Sequence, residues 1–315
     1  MERSCLNFDK PIQDAISRIR FASRSNNLLI SSWDSNLRLY DVDKSELRLE
    51  APSGGAALLD CCFGSESMAI SANSDGSITR YDMHLGESKA IGIHDDLATC
   101  VEYSVETSQI VTGAWDKKIK FWDARSAGSV GCLDNLSEKV ESLSLSGFSL
   151  VAAIKSSLNM YDLRYLDKSV QAKELFKGIL IKCVRASPDL EGFVAGSNDG
   201  RVALEFFGES NTKNKGYAFK CHPKSKSGRS HMVAVNDIAF NPYKRGELVT
   251  GDNEGNAVMW DVLKQNRLAE LHRFPNSVTS LTYNHDGQLL AAASSYTYQE
   301  ANEREDLPQI FVTSL

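Results

Sequence analysis

Apolar and polar residues alternate in several of seven short stretches of this chain: ISRIRFA (16–22), LLDCCFG (58–64), ATCVEYS (98–104), VESLSLS (140–146), IKCVRAS (181–187), VNDIAF (235–240) and VTSLTY (278–283). Alternation of this kind predicts half-buried strands. Each is followed by a stretch of small and apolar residues: LLISS (28–32), MAISA (68–72), IVTGA (110–114), LVAAI (150–154), FVAGS (193–197), LVTGD (248–252) and LLAAAS (289–294). Small side chains suit strands crowded between neighbouring sheets. Turns such as NSDGS (73–77), SNDG (197–200) and DNEGN (252–256) come next, rich in residues that tolerate positive φ. A third strand follows, ending in LRLYD (37–41), ITRYD (78–82), IKFWD (119–123), LNMYD (158–162) or AVMWD (257–261), with degenerate copies RVALEFF (201–207) and QIFVT (309–313). The spacing is 41 residues from Asp41 to Asp82, 41 to Asp123 and 39 to Asp162.

A period near 40 with an aromatic-Asp ending resembles the WD repeat. The expected fold is therefore all-β: a seven-bladed WD40 β-propeller occupying residues 1–315 as a single domain. Segment SCLNF (4–8) is expected to close the ring as the outer strand of the last blade, removing exposed sheet edges. One blade carries a full internal polar set, His94, Thr112, Asp116 and Trp122. Asp116 would hold the imidazole, and the imidazole would reach the threonine and the Trp N–H. In this setting the set is scaffold rather than a hydrolase triad, because buried polar groups need partners.

Composition narrows the function classes. The net charge of −6 argues against a nucleic-acid binder driven by overall charge. The seven cysteines, at 5, 61, 62, 100, 132, 183 and 221, show no CxxC or Cys/His ligand spacing, so no metal, cofactor or disulfide framework is expected. The first residues lack the apolar core of a secretory signal, and no apolar run approaches the about 20 residues that cross a bilayer. A soluble, intracellular protein with no membrane or direct nucleic-acid partner is expected. There is no Gly-rich phosphate loop, HExxH helix or nucleophile elbow, so no enzyme and no catalytic residue is expected.

Three features depart from scaffold. Trp33 and Trp115 precede the Asp of the second-to-third strand turn, where other blades carry Ser74, Asn198 or Asn253. Large aromatics on that rim are expected to be partly exposed interface anchors. Residues 208–234 form the longest linker and include the outer strand GYAFKC (216–221). From 220 to 231 the charges are Lys220, Lys224, Lys226 and Arg229, with no acid. Arg201 lies at the start of the neighbouring strand, where a buried guanidinium would need an anionic partner. Cations beside exposed Trp suggest an acidic or phosphorylated peptide, the other reading of the loop being a solvated segment whose charges only keep the chain soluble. The stretch 294–306 carries Glu300, Glu303, Glu305 and Asp306 against Arg304, and reads as an enlarged, solvated turn.

Eight strings in order make the resemblance specific: SSWDSNLRLYDV (31–42), CVEYS (100–104), VTGAWDKKIKFWDAR (111–125), GRVALEFF (200–207), YAFKCH (217–222), VNDIAFNP (235–242), LHRFPNSVTSL (271–281) and LAAASSYTY (290–298). They resemble the WD40 spindle-checkpoint proteins of the budding-uninhibited-by-benzimidazole (Bub) group over essentially the whole chain. The mRNA-export WD40 proteins of nuclear pores are similar and share several strings. The first resemblance implies a non-enzymatic adaptor of the spindle assembly checkpoint, a monomer within hetero-complexes. It would be nuclear and cytoplasmic, and at kinetochores in mitosis. Its top face would bind GLEBS-type peptides of checkpoint kinases or kinase-like proteins, and phosphorylated MELT repeats of a kinetochore scaffold. Trp33 and Trp115 would lie under the peptide, with Arg201, Lys220 and His222 around it and Lys224, Lys226 and Arg229 as further phosphate contacts. Pro223 stands where the family commonly has a basic residue. The second resemblance implies an mRNA-export adaptor at nuclear pores, with a similar peptide grip.

Overall fold

The computed structural model describes residues 2–125, 128–134, 136–166, 169–188, 192–207, 216–221, 233–297 and 306–315. Its strands form seven antiparallel sheets of four strands each. Blade 1 contains Ile16–Phe21, Asn27–Ser32, Asn36–Asp41 and Glu46–Pro52 from centre to rim. Blade 3 contains Ala98–Ser104, Gln109–Ala114, Ile119–Asp123 and Ser129–Leu133. Blade 5 contains Ile181–Ala186, Gly192–Ser197, Arg201–Phe206 and Tyr217–Lys220, and the inner strands of blades 2, 4, 6 and 7 are Leu58–Ser65, Val140–Ser146, Val235–Phe240 and Ser277–Tyr283. The inner strand of every blade packs against those of both neighbours, and blade 7 meets blade 1, so the ring is closed. The architecture is the seven-bladed WD40 propeller that the repeats predict.

Ring closure uses Arg3–Cys5, which pairs with Gln309–Ser314 at the outer edge of blade 7. The expected segment 4–8 is thus shifted towards the start of the chain. Beyond Leu6, whose N–H donates to the Ile310 carbonyl, the chain turns to blade 1, where the Phe8 ring meets Tyr40 at 5.2 Å. Arg3 secures the strand: its guanidinium lies 4.2 Å from the Phe274 ring and 3.9 Å from that of Phe311.

The core is not one mass but a layer at each blade junction. Blades 1 and 2, for example, bury Leu29, Leu37 and Leu39 against Leu58, Ala69 and Tyr81. This is why the second strands are rich in small apolar residues, since both faces of those sheets are covered. The inner strands add a polar clasp between blades. Asp60 accepts the Val101 N–H at 3.0 Å, Ser142 that of Val184 at 3.2 Å, Asp237 that of Leu281 at 2.8 Å and Ser280 that of Ile19 at 3.1 Å.

Arg18 occupies the same register on blade 1 and does something different. Its guanidinium bridges Asp60 of blade 2 at 2.9 Å and Asp237 of blade 6 at 2.8 Å. Arg185 also pairs with Asp237, and Arg20 pairs with Glu102 at 2.6 Å. Burial alone would raise the Asp237 carboxyl, but Arg185 and Arg18 hold it below the usual carboxylate range. These six residues tie blades 1, 2, 3, 5 and 6 together at the centre of the ring. Their only signal in the sequence is a charged residue inside each of the strands RIRF, LDCC, VEY, VRA and NDI.

Candidate peptide-binding face

The turns between second and third strands, and the connections that enter the inner strands, share one face of the ring. A repeated hydrogen bond defines equivalent positions on it. The backbone N–H of Trp33 donates to the carbonyl of Ala15, Ser74 to Ala57, Trp115 to Leu97, Asn198 to Leu180 and Asn253 to Ala234. Trp33 and Trp115 therefore occupy the same place on blades 1 and 3, with the small Ser74 of blade 2 between them. Both Trp residues are 38% exposed. The ammonium of Lys139 sits 3.8 Å from the centre of the Trp115 ring.

The Asp that follows each Trp is held inside. In blade 3, Asp116 Oδ2 is 2.8 Å from His94 Nδ1, and His94 Nε2 is 2.8 Å from Thr112 Oγ1. Trp122 Nε1–H donates to Thr112 Oγ1 at 2.8 Å. The indole thus reaches the threonine and not the imidazole as expected, because the hydroxyl stands between the two rings and can donate to one while accepting from the other. Burial lowers the His94 pKa, opposed by Asp116. A neutral ring that donates from Nδ1 and accepts at Nε2 satisfies every member. In blade 6, Cys221 Sγ approaches Thr250 Oγ1 at 3.0 Å and Trp260 Nε1–H donates to the same oxygen at 3.1 Å.

Blade 1 closes its turn with an arginine. Arg38 gives Nη2–H to Asp34 at 2.6 Å, Nη1–H to Ser32 at 2.8 Å and Nε–H to Glu50 at 2.9 Å, and is only 5% exposed. Blade 5 has the same Ser-x-Asp turn, with Ser197 donating to Asp199 at 2.7 Å. Its arginine is at the turn itself. Arg201 Nε–H donates to Asp199 at 2.9 Å and Nη2 lies 2.8 Å from the same carboxylate. The side chain is 38% exposed, and its guanidinium lies 5.3 Å from the Phe176 ring. The expectation of a buried Arg201 is thus corrected: it is half-buried, and its counter-ion belongs to its own turn. Burial opposes the Asp199 charge, but the Arg201 and Ser197 hydrogen bonds hold its carboxyl below the ordinary value.

Directly opposite Arg201 in the strand ladder is Lys220. Lys220 is exposed and has no ion pair among the described residues. Two cations at one cross-strand position destabilise a sheet unless an anion lies between them. The structure thus brings Arg201 and Lys220 together, two blades from Trp115 around the same face. His222, Pro223, Lys224, Lys226 and Arg229 lie outside the described residues, as do Glu300, Glu303, Arg304 and Glu305. Asp306 is pinned by its backbone, accepting from Asn276 Nδ2–H at 2.6 Å and donating to Asn276 Oδ1 at 3.1 Å. Among the described residues, no group of three or more His, Cys, Asp or Glu side chains could hold a metal ion.

Comparison with known proteins adds the family. The family described as WD domain, G-beta repeat matches residues 88–123, which span the outer strand of blade 2 and the first three strands of blade 3. The chain is 46% identical over 310 residues to mitotic checkpoint protein BUB3.3 of Arabidopsis thaliana, covering 98% of both chains. It is 41% identical to BUB3.1 of the same plant, covering 97% of this chain and 91% of that one. With mitotic checkpoint protein bub3 of Dictyostelium discoideum it shares 34% identity, covering 97% and 93%. The chain belongs to the Bub3-type WD40 mitotic checkpoint proteins. Membership supports a role in the mitotic spindle checkpoint.

Proposed function

We propose that this chain is a non-enzymatic checkpoint adaptor that grips peptide segments across its top face. The observation that carries the reading is the pairing of Arg201 with Lys220 on the same face of the ring as two equivalent, half-exposed tryptophans. A peptide that lays apolar side chains on Trp33 and Trp115 gains contact area at a site already partly dehydrated. An acidic or phosphorylated residue placed between Arg201 and Lys220 relieves their mutual repulsion and makes charge-assisted hydrogen bonds. The partners proposed are GLEBS-type segments of checkpoint kinases or kinase-like proteins and phosphorylated MELT repeats of a kinetochore scaffold. The chain would act within hetero-complexes, in the nucleus and at kinetochores during mitosis. The His94, Thr112, Asp116 and Trp122 set serves the scaffold, since its side chains bond one another and nearby backbone N–H groups.

Calorimetric titration with a GLEBS-type peptide, and with a MELT-type peptide with and without phosphothreonine, tests this. Binding of the first, and of the second only when phosphorylated, is expected. Replacing Trp33 and Trp115 by Ala should abolish the first, and Arg201→Gln with Lys220→Gln the phosphate dependence. An mRNA-export role shares the fold and the grip, so location separates the two. Signal at the nuclear rim without kinetochores would overturn the checkpoint assignment.

A further inference from the structure

Trp33 and Trp115 are equivalent by backbone hydrogen bonding, and Trp115 has a lysine over its ring. The residue that enters the inner strand of the next blade is Ala57 beside blade 1 and Lys139 beside blade 3. Lys139 places its ammonium 3.8 Å over the Trp115 ring and 3.1 Å from Glu141. The nearby Lys117 and Lys155 share Glu138, at 3.9 and 3.2 Å. Asp116 is turned inward, where His94, the Asp95 N–H and the Lys118 N–H take up its oxygens. It leaves Lys139 as the cation on the indole face.

We propose, resting on the peptide-binding reading above, that Lys139 is a specificity-determining residue. It makes the Trp115 position accept a segment whose carboxylate lies beside the side chain covering the indole. The physical reason is desolvation. A peptide seated on Trp115 strips water from the Lys139 ammonium, and Glu141 with the ring face satisfies only part of what is lost. A ligand carboxylate supplies the rest, whereas an uncharged ligand leaves the ammonium dry. The cation also fixes the plane of the ring before the ligand arrives, which lowers the cost of ordering it on binding.

The test uses the full chain and a GLEBS-type peptide whose acidic residues are changed to Gln one at a time, with calorimetric affinities. Lys139→Met, which keeps the aliphatic stem, should weaken the parent peptide about three- to tenfold. The same variant should have no effect on one Glu→Gln or Asp→Gln peptide, the one lacking the carboxylate that Lys139 meets. Lys139→Arg should restore parent affinity. A loss of equal size for all the peptides, or none for the parent, would overturn the role of Lys139 while leaving the peptide-binding face intact. Absence of binding to the unaltered protein would overturn both.

Discussion

Blades 1 and 5 build the same Ser-x-Asp turn and close it with an arginine, but place that arginine differently. Arg38 sits four residues after Asp34, inside the sheet, where Asp34, Ser32 and Glu50 accept all three of its donor directions. Arg201 sits two residues after Asp199, at the mouth of the turn, where one carboxylate holds one side and Lys220 faces it across the ladder. A two-residue shift thus separates an arginine that belongs to the scaffold from one that faces solvent with charge to spare. Arg18, at the centre of the ring, spends its charge differently, bridging two buried carboxylates from blades 2 and 6. What differs is not residue type but how many of the five N–H donors the fold has already used.

That contrast can be broken by substitution. Arg18→Met should cost the most, about 3–5 kcal/mol, because Asp60 and Asp237 remain buried without their shared cation. Urea unfolding should show the midpoint falling with little change in slope. Arg38→Met should cost about 2–4 kcal/mol, since it strands Asp34 and Ser32 beneath the top face. A cost near zero would mean that blade 1 is no more saturated than blade 5. A smaller, pH-linked effect belongs to blade 3. His94 has a folded pKa below the ordinary 6.5 because it is buried, so the unfolded chain takes up its proton first as pH falls. The stability that neutral His94 contributes is fully present above about pH 6.5 and declines as pH falls below it. The His94→Gln variant should lack this part of the decline, which unfolding at pH 7.5 and 5.5 would read out. Smallest of all, Arg201→Gln combined with Lys220→Gln should shift stability by under about 1 kcal/mol in either direction, because loss of the Asp199 pair is offset by relief of repulsion. The same double variant is expected to lose the phosphate dependence proposed above, and a large loss of stability would place Arg201 with Arg38.

Much of the architecture could be read from the chain. Strand length, alternation and the aromatic-Asp period place the strands in order and count the blades, because each blade buries its faces by local pattern and repeats it. Trp33 and Trp115 were legible as departures from a repeat, and Arg201 with Lys220 as cations beside a strand end. Less legible was how those groups are spent. Arg18, Arg20 and Arg185 lie far in sequence from Asp60, Glu102 and Asp237, and only the packing of the inner strands around the ring brings them together. Likewise the Trp122 N–H finds Thr112 and not His94 because three strands fix which atom lies between the rings.

The sequence by itself determined the seven-fold repeat, the half-exposed aromatics and the clustering of cations near blade 5, since these follow from periodicity and from breaks in it. Only the tertiary structure decided which charges are consumed and which are left, that Lys139 caps Trp115, and that closure is made by Arg3–Cys5. The reason is that periodicity reports the environment a residue shares with its repeats, whereas the partners of a charge are set by distances across blade junctions and across the channel, which no local pattern encodes.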